Sequence, residues 1–312
     1  MPSAPQPDSV PRGSANSAPA TGSNAQTPKE VMDRAIREIA ARVTLLELPE
    51  PTSHTVIEAA GLDDQVVAES LARYAVGFLA GWVQRDATIS GRLGIQGVDR
   101  RAEVHRLVAR IVEPPGDVDD ERLANWRHTW RDGWIAEILT HVLFVIRRSI
   151  ETDCLRGNVV ALMRPHPLPK RQGLDTVALY DEQGVAVLTV GETKASARYG
   201  SRELDRACDI FDSVDAGLAG PDLRDALDSL ADVLPEHLID QVSDDLWRNH
   251  RCYVPSIVHQ DAFDARSERE RLGRLLPVVD RKRVLLLNIE AFDSFFDRVA
   301  DAMPQAVNEI VV

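Results

Sequence analysis

Residues 173–196 read GLDTVALYDEQGVAVLTVGETKAS. Two strand-like runs, 173–180 and 185–194, flank Asp181-Glu182-Gln183-Gly184, a turn closed by glycine, so the stretch predicts a β-hairpin. The second run opens Val185-Ala186-Val187-Leu188-Thr189-Val190. It is apolar on both faces, as an interior strand is. Side chains two apart in a strand share a face, so Glu192 and Lys194 project together and Thr193 turns away. A Glu and a Lys at the end of a buried strand are costly unless they are used or paired. If Tyr180 faces Val185, Asp175 faces Val190 and has Glu192 as its diagonal neighbour. If the turn is two residues tighter, Asp175 faces Glu192. In either register both carboxylates lie on one face, with Cβ atoms within about 8 Å.

Two carboxylates that close repel. A divalent cation, or Lys194, relieves the repulsion, and an all-oxygen donor set favours Mg²⁺ or Mn²⁺ over zinc. The chemistry this suits is phosphodiester hydrolysis, in which Lys194 holds the attacking water or stabilises charge at the phosphorus. Lys170 and Arg171 just before the hairpin, and Arg198 and Arg202 just after it, are candidate phosphate contacts. Glu-x-Lys alone usually marks a salt-bridged surface strand. The conjunction with Asp175, the apolar lead-in and the turn favours a site.

Outward from the hairpin, residues 1–27 are rich in Pro, Ser, Ala, Asn and Gly and predict a disordered tail. Thr27-Pro28 predicts a helix start. Residues 28–115 predict a helical N-terminal region, ended by Pro114-Pro115-Gly116. A long helix is expected over 119–151, with Trp126, Trp130 and Trp134 as a packing stripe at intervals of four. Ile135, Ile138, Leu139, Val142 and Ile146 make one stripe of this helix. Glu137 lies opposite, near His141, and Phe144 on that far side points to burial of both faces. Strands are expected at 158–162, 252–258 and 283–289, and helices at 202–216, 221–247, 267–276 and 291–303. The order is that of an α/β or α+β core with a mixed central sheet, over residues 116–312.

GLDTVALYDEQGVAVLTVGETKAS, with WIAEILTHVL (134–143) before it, resembles the PD-(D/E)XK, or restriction-endonuclease-like, superfamily of nucleases. Asp175, Glu192 and Lys194 match the Asp and D/E-x-K of that family, and Glu137 falls at the helical glutamate that often joins them. The resemblance covers about half the chain. It implies an αβββαβ core, a Mg²⁺- or Mn²⁺-dependent DNA nuclease and a metal held by Asp175, Glu192 and Glu137. The layout is also similar to the HamA-like effectors of Hachiman-type antiphage defence, which implies a helicase or ATPase partner. The alternative is a catalytically inactive protein of the same fold that binds a partner or nucleic acid.

The formal net charge of −13 argues against a protein that grips long DNA unaided, because non-specific binding comes from Lys and Arg neutralising phosphates. Basic islands do occur, at Arg147-Arg148, Arg164 and Arg281-Lys282-Arg283 besides those above. No Walker A, GxGxxG, GxSxG or HExxH pattern is present. Cys154, Cys208 and Cys252 are sparse and form no CxxC pair, and MPSAPQPDSV has neither a basic start nor an apolar run. A cytoplasmic protein with no membrane association is the expectation.

Overall fold

Thr27 acts as its place before Pro28 predicts. Its hydroxyl caps the N–H of Glu30, and the Glu30 carboxylate reaches back to the Thr27 N–H, a capping box. It opens α1 (Pro28–Ala40). There follow β1 (Thr44–Glu47), β2 (Thr55–Ala60), α2 (Gln65–Arg92), α3 (Arg100–Val112), α4 (Asp120–Trp126), a π-helical turn (Arg127–Arg131) and α5 (Asp132–Ile146). The hairpin region holds β3 (Asn158–Leu162), β4 (Thr176–Glu182) and β5 (Val185–Ser196). After it come α6 (Gly200–Asp215), α7 (Gly220–Ala231), α8 (Glu236–Ile239), α9 (Leu246–Asn249), β6 (Arg251–His259), α10 (Arg269–Gly273), β7 (Arg283–Asn288) and α11 (Phe292–Ala306). This is a computed structural model, and the residues it describes are 26–49, 53–93, 99–116, 118–146, 157–169, 173–231, 233–242 and 246–312.

The protein is mixed α/β. Among the described residues seven strands form one sheet in the order β1-β2-β7-β6-β5-β4-β3. The central strands β2, β7, β6 and β5 run parallel, and the pairs β1–β2, β5–β4 and β4–β3 are antiparallel. One face is covered by α1, α2, α3, α5 and α11. The other is covered by α6, α7 and the short helices that supply Leu238, Leu246 and Leu272. Strand β5 is paired on both sides and buried from Ala186 to Thr193, as its apolar run predicts.

Three expectations are corrected. Residues 28–115 are not helical throughout, because β1 and β2 interrupt them and join the sheet. They are too short, at 4 and 6 residues, for a period to stand out. The partner that makes β2 a strand is β7, where Thr55 pairs with Arg283, a contact no local pattern can encode. The tail also ends earlier than residue 27. Gln26 bridges to Ile310 and exchanges backbone hydrogen bonds of 2.9 Å with Glu309 and Val311; residues 1–25 lie outside those described. Finally, the helix expected over 119–151 is α4, the π turn and α5. The π turn adds a residue to one coil, so the three indoles do not share a face. Trp126 and Trp134 are buried while Trp130 is half-buried. The segment 147–156, with Arg147 and Arg148, lies outside the described residues.

Helix α2 is long and apolar enough to cross a bilayer, but 72% of its apolar window is buried inside the fold. It is a core helix. Because α1, α2 and β2 close the same sheet and core as the rest, a fragment of residues 116–312 would expose the β7 edge and the apolar surface that α1, α2 and α3 cover. We expect such a fragment to lack a cooperative thermal transition in circular dichroism. A sharp unfolding transition from it would show that the N-terminal region is dispensable.

Candidate active site

The hairpin turn takes the tighter of the two registers. Gln183 and Gly184 form a two-residue turn with φ of 56° and 89°, and both positive values are what a type I′ turn needs. Glu182 then pairs with Val185 and Thr176 with Gly191. One step further along the ladder places Asp175 opposite Glu192. The Thr193 N–H donates to Asp175 Oδ2 at 2.8 Å, which holds that carboxylate against β5.

Glu192 is 3% exposed. Lys194 Nζ donates to its Oε1, while its Oε2 is buried without a hydrogen-bond partner. Glu137, half-buried on α5, completes the cluster, for its charge is felt alongside those of Asp175, Glu192 and Lys194. The four sequence candidates therefore converge where β4 begins and β5 nears its end.

Burial dominates the electrostatics. It pushes all three carboxyls up, and their mutual repulsion adds to this at Glu137 and Glu192. Glu137 stands well above the usual carboxylate range, and Glu192 is pushed up to about 7. At Asp175, Lys194 and the Thr193 N–H partly offset the burial. Burial pulls the Lys194 ammonium down, but the charges of Glu192 and Asp175 outweigh it and hold the group above its ordinary value. Lys194 is thus charged at neutral pH.

Among the described residues no three His, Cys, Asp or Glu side chains already stand as a finished set of metal ligands. The donor chemistry nonetheless fits a hard divalent cation. It comprises three carboxyls whose charges repel and one buried oxygen, Glu192 Oε2, with no partner. Asp175, Glu192 and Glu137 are the residues that can hold it.

The supposed phosphate contacts separate. Arg198 and Arg202 are exposed between the end of β5 and the first turn of α6, on the approach to Lys194. Lys170 and Arg171 lie outside the described residues. The island at 281–283 is structural. Arg281 pairs with Glu182 at 2.5 Å, Arg283 is 2% exposed and pairs with Glu47 at 3.2 Å, and Lys282 is buried.

Sequence reasoning missed two neighbours. His166 is close enough to lower Asp175, and Arg206 acts on Lys194 from α6 while paired with Glu203 at 2.8 Å. Arg206 lies one turn beyond Arg202, so the helical period offered a signal for it. His166 sits in a Pro-rich loop, which offered none. His141 is a packing residue: its Nδ1 meets Tyr74 Oη at 2.9 Å, and burial lowers it to about 4. A cleft of about 670 Å³ adjoins the cluster, walled by Trp82, Arg85, Arg164, His166, Leu174 and α7.

Neither protein families nor curated proteins provide a match to this chain. The functional reading therefore rests on the site.

Proposed function

We propose that this protein is a Mg²⁺- or Mn²⁺-dependent nuclease of the PD-(D/E)XK type that hydrolyses DNA phosphodiester bonds. The observation that carries the reading is the convergence of Asp175, Glu192 and Lys194 on one sheet face with Glu137 beside them. The order α5-β3-β4-β5-α6-β6, with α7, α8 and α9 inserted between α6 and β6, is compatible with the αβββαβ order of that family, which supports the reading further.

A bound divalent cation would supply Lewis acidity at the phosphoryl oxygen. The protein's own groups do the rest. Lys194 Nζ orients the attacking water and balances charge at the phosphorus as the new P–O bond forms. Glu192, with Asp175 and Glu137, would hold the cation, which would keep its carboxylate ionised, so the water's proton passes to solvent. The bond to the leaving oxygen breaks, and that oxygen takes a proton from solvent. Arg198 and Arg202 neutralise flanking phosphates. The net charge of −13 supports a subunit to which a helicase or ATPase delivers DNA, as in an antiphage defence complex.

The test is cleavage of plasmid, linear duplex and single-stranded DNA by purified protein. The expected result is cleavage with Mg²⁺ or Mn²⁺ that is lost in EDTA and in Lys194→Ala. Equal cleavage by Lys194→Ala would sink the assignment. Absence of cleavage with DNA binding retained would favour the inactive, binding version of the fold.

A further inference from the structure

A second concavity lies between α3 and the α4–π-turn segment that leads into α5, the helix that carries Glu137. It measures about 350 Å³ and is lined by Trp126, Trp130, Arg106, Arg110, Leu168 and neighbouring prolines, with Glu113 as its carboxylate. Trp130 is half-buried because the π turn swings it off the core stripe, and Arg110 is exposed. Arg106 is engaged by Glu103 of its own helix. Trp130 and Arg110 both line the groove, and an indole with a guanidinium in one groove suits an unpaired base with its phosphate, since every base has a π-face and the cation meets the backbone.

The groove is tied to the carboxylate cluster in two ways. Trp130, in the π turn, and Glu137, in α5, are seven residues apart along one continuous helical segment, an axial separation of about 10 Å at 1.5 Å per residue. Between them Trp134 Nε1 donates to the His166 carbonyl at 2.8 Å. His166 borders Asp175, and Leu168, two residues on, walls the groove.

We propose that this groove binds a single-stranded stretch of DNA next to the scissile phosphate, with a base stacked on Trp130 and a phosphate on Arg110. This makes the substrate a strand with unpaired bases, and it rests on the nuclease reading. A base inside a duplex hides both faces in its stack and cannot use Trp130. Few phosphates are contacted, so binding depends weakly on salt: three contacts, at Arg110, Arg198 and Arg202, give a log–log slope of about −2.1 for single strands.

The probe is a labelled oligothymidylate in EDTA with the full-length protein, read by anisotropy and by quenching of indole fluorescence. Trp130→Ala is expected to weaken binding by at least about fivefold. Trp130→Phe should keep most of the affinity, and Arg110→Ala should flatten the salt slope. An affinity indifferent to both Trp130→Ala and Arg110→Ala would overturn the proposal. So would tighter binding of blunt duplex than of single strand, or quenching by a proline-rich peptide but not by the oligonucleotide. Metal-dependent cleavage with binding indifferent to Trp130 would sink the groove alone. Trp130-dependent binding without cleavage would leave the groove standing and sink the nuclease reading.

Discussion

Glu192→Gln is expected to cut DNA cleavage by about 100-fold or more and, in EDTA at pH 8, to raise the melting temperature. The two effects have one cause. The folded protein holds Glu192 up to about 7, against 4.5 for an unburied glutamate. Between those values the folded state binds more protons than the unfolded state, so this group's contribution to stability falls as pH rises through that window. Glutamine mimics the protonated carboxyl and escapes the loss. Thermal scans of wild type and variant in EDTA should converge near pH 4 and part by pH 8, the variant being the more stable. Lys194 keeps Asp175 as a counter-charge, so loss of Glu192 does not strand it. A structural ion pair predicts the reverse, a less stable variant at pH 8, because a buried pair loses one member. That outcome, or normal cleavage, would remove Glu192 from the catalytic role.

Trp134→Ala is expected to cost about 3–5 kcal/mol of stability, the range for emptying a buried aromatic site. The indole is 1% exposed and sits in the core that joins α5 to the sheet. It also holds the His166 carbonyl at 2.8 Å, so cleavage should fall with stability. Trp134→Phe separates the two roles. It keeps most of the packing and drops one hydrogen bond, at about 1 kcal/mol, and should still impair cleavage through the loosened loop. Urea unfolding and single-turnover cleavage are the measurements. A cost for Trp134→Ala below about 1 kcal/mol would show that α5 is not fixed by this side chain.

The hairpin was legible because its signals are local. The apolar run of 185–190, the Gln183-Gly184 turn and the two-residue spacing of Glu192 and Lys194 all lie within one stretch. The register stayed open between two solutions, since the turn length that decides it depends on the positive φ at Gln183. Glu137 was legible from Phe144, whose burial on the far side of α5 shows a helix covered all round. What failed was non-local or irregular. Strand β2 exists because β7 lies beside it. The π turn breaks the spacing of the tryptophans without any mark in composition. Arg283 reads as a surface cation in sequence, yet it lies inside the sheet against Glu47, since a charge pattern does not say which charges are paired.

The most direct test of the account is Mn²⁺ binding followed by calorimetry at pH 8, with no nucleic acid present. The expected result is at least one Mn²⁺ bound by the wild type, a weaker affinity in Glu137→Gln, and loss of that site in Asp175→Asn and Glu192→Gln, each variant keeping a cooperative melt. Mn²⁺ binding unchanged across Asp175→Asn and Glu192→Gln, or none by the wild type, would contradict a metal site at the Asp175–Glu192 cluster.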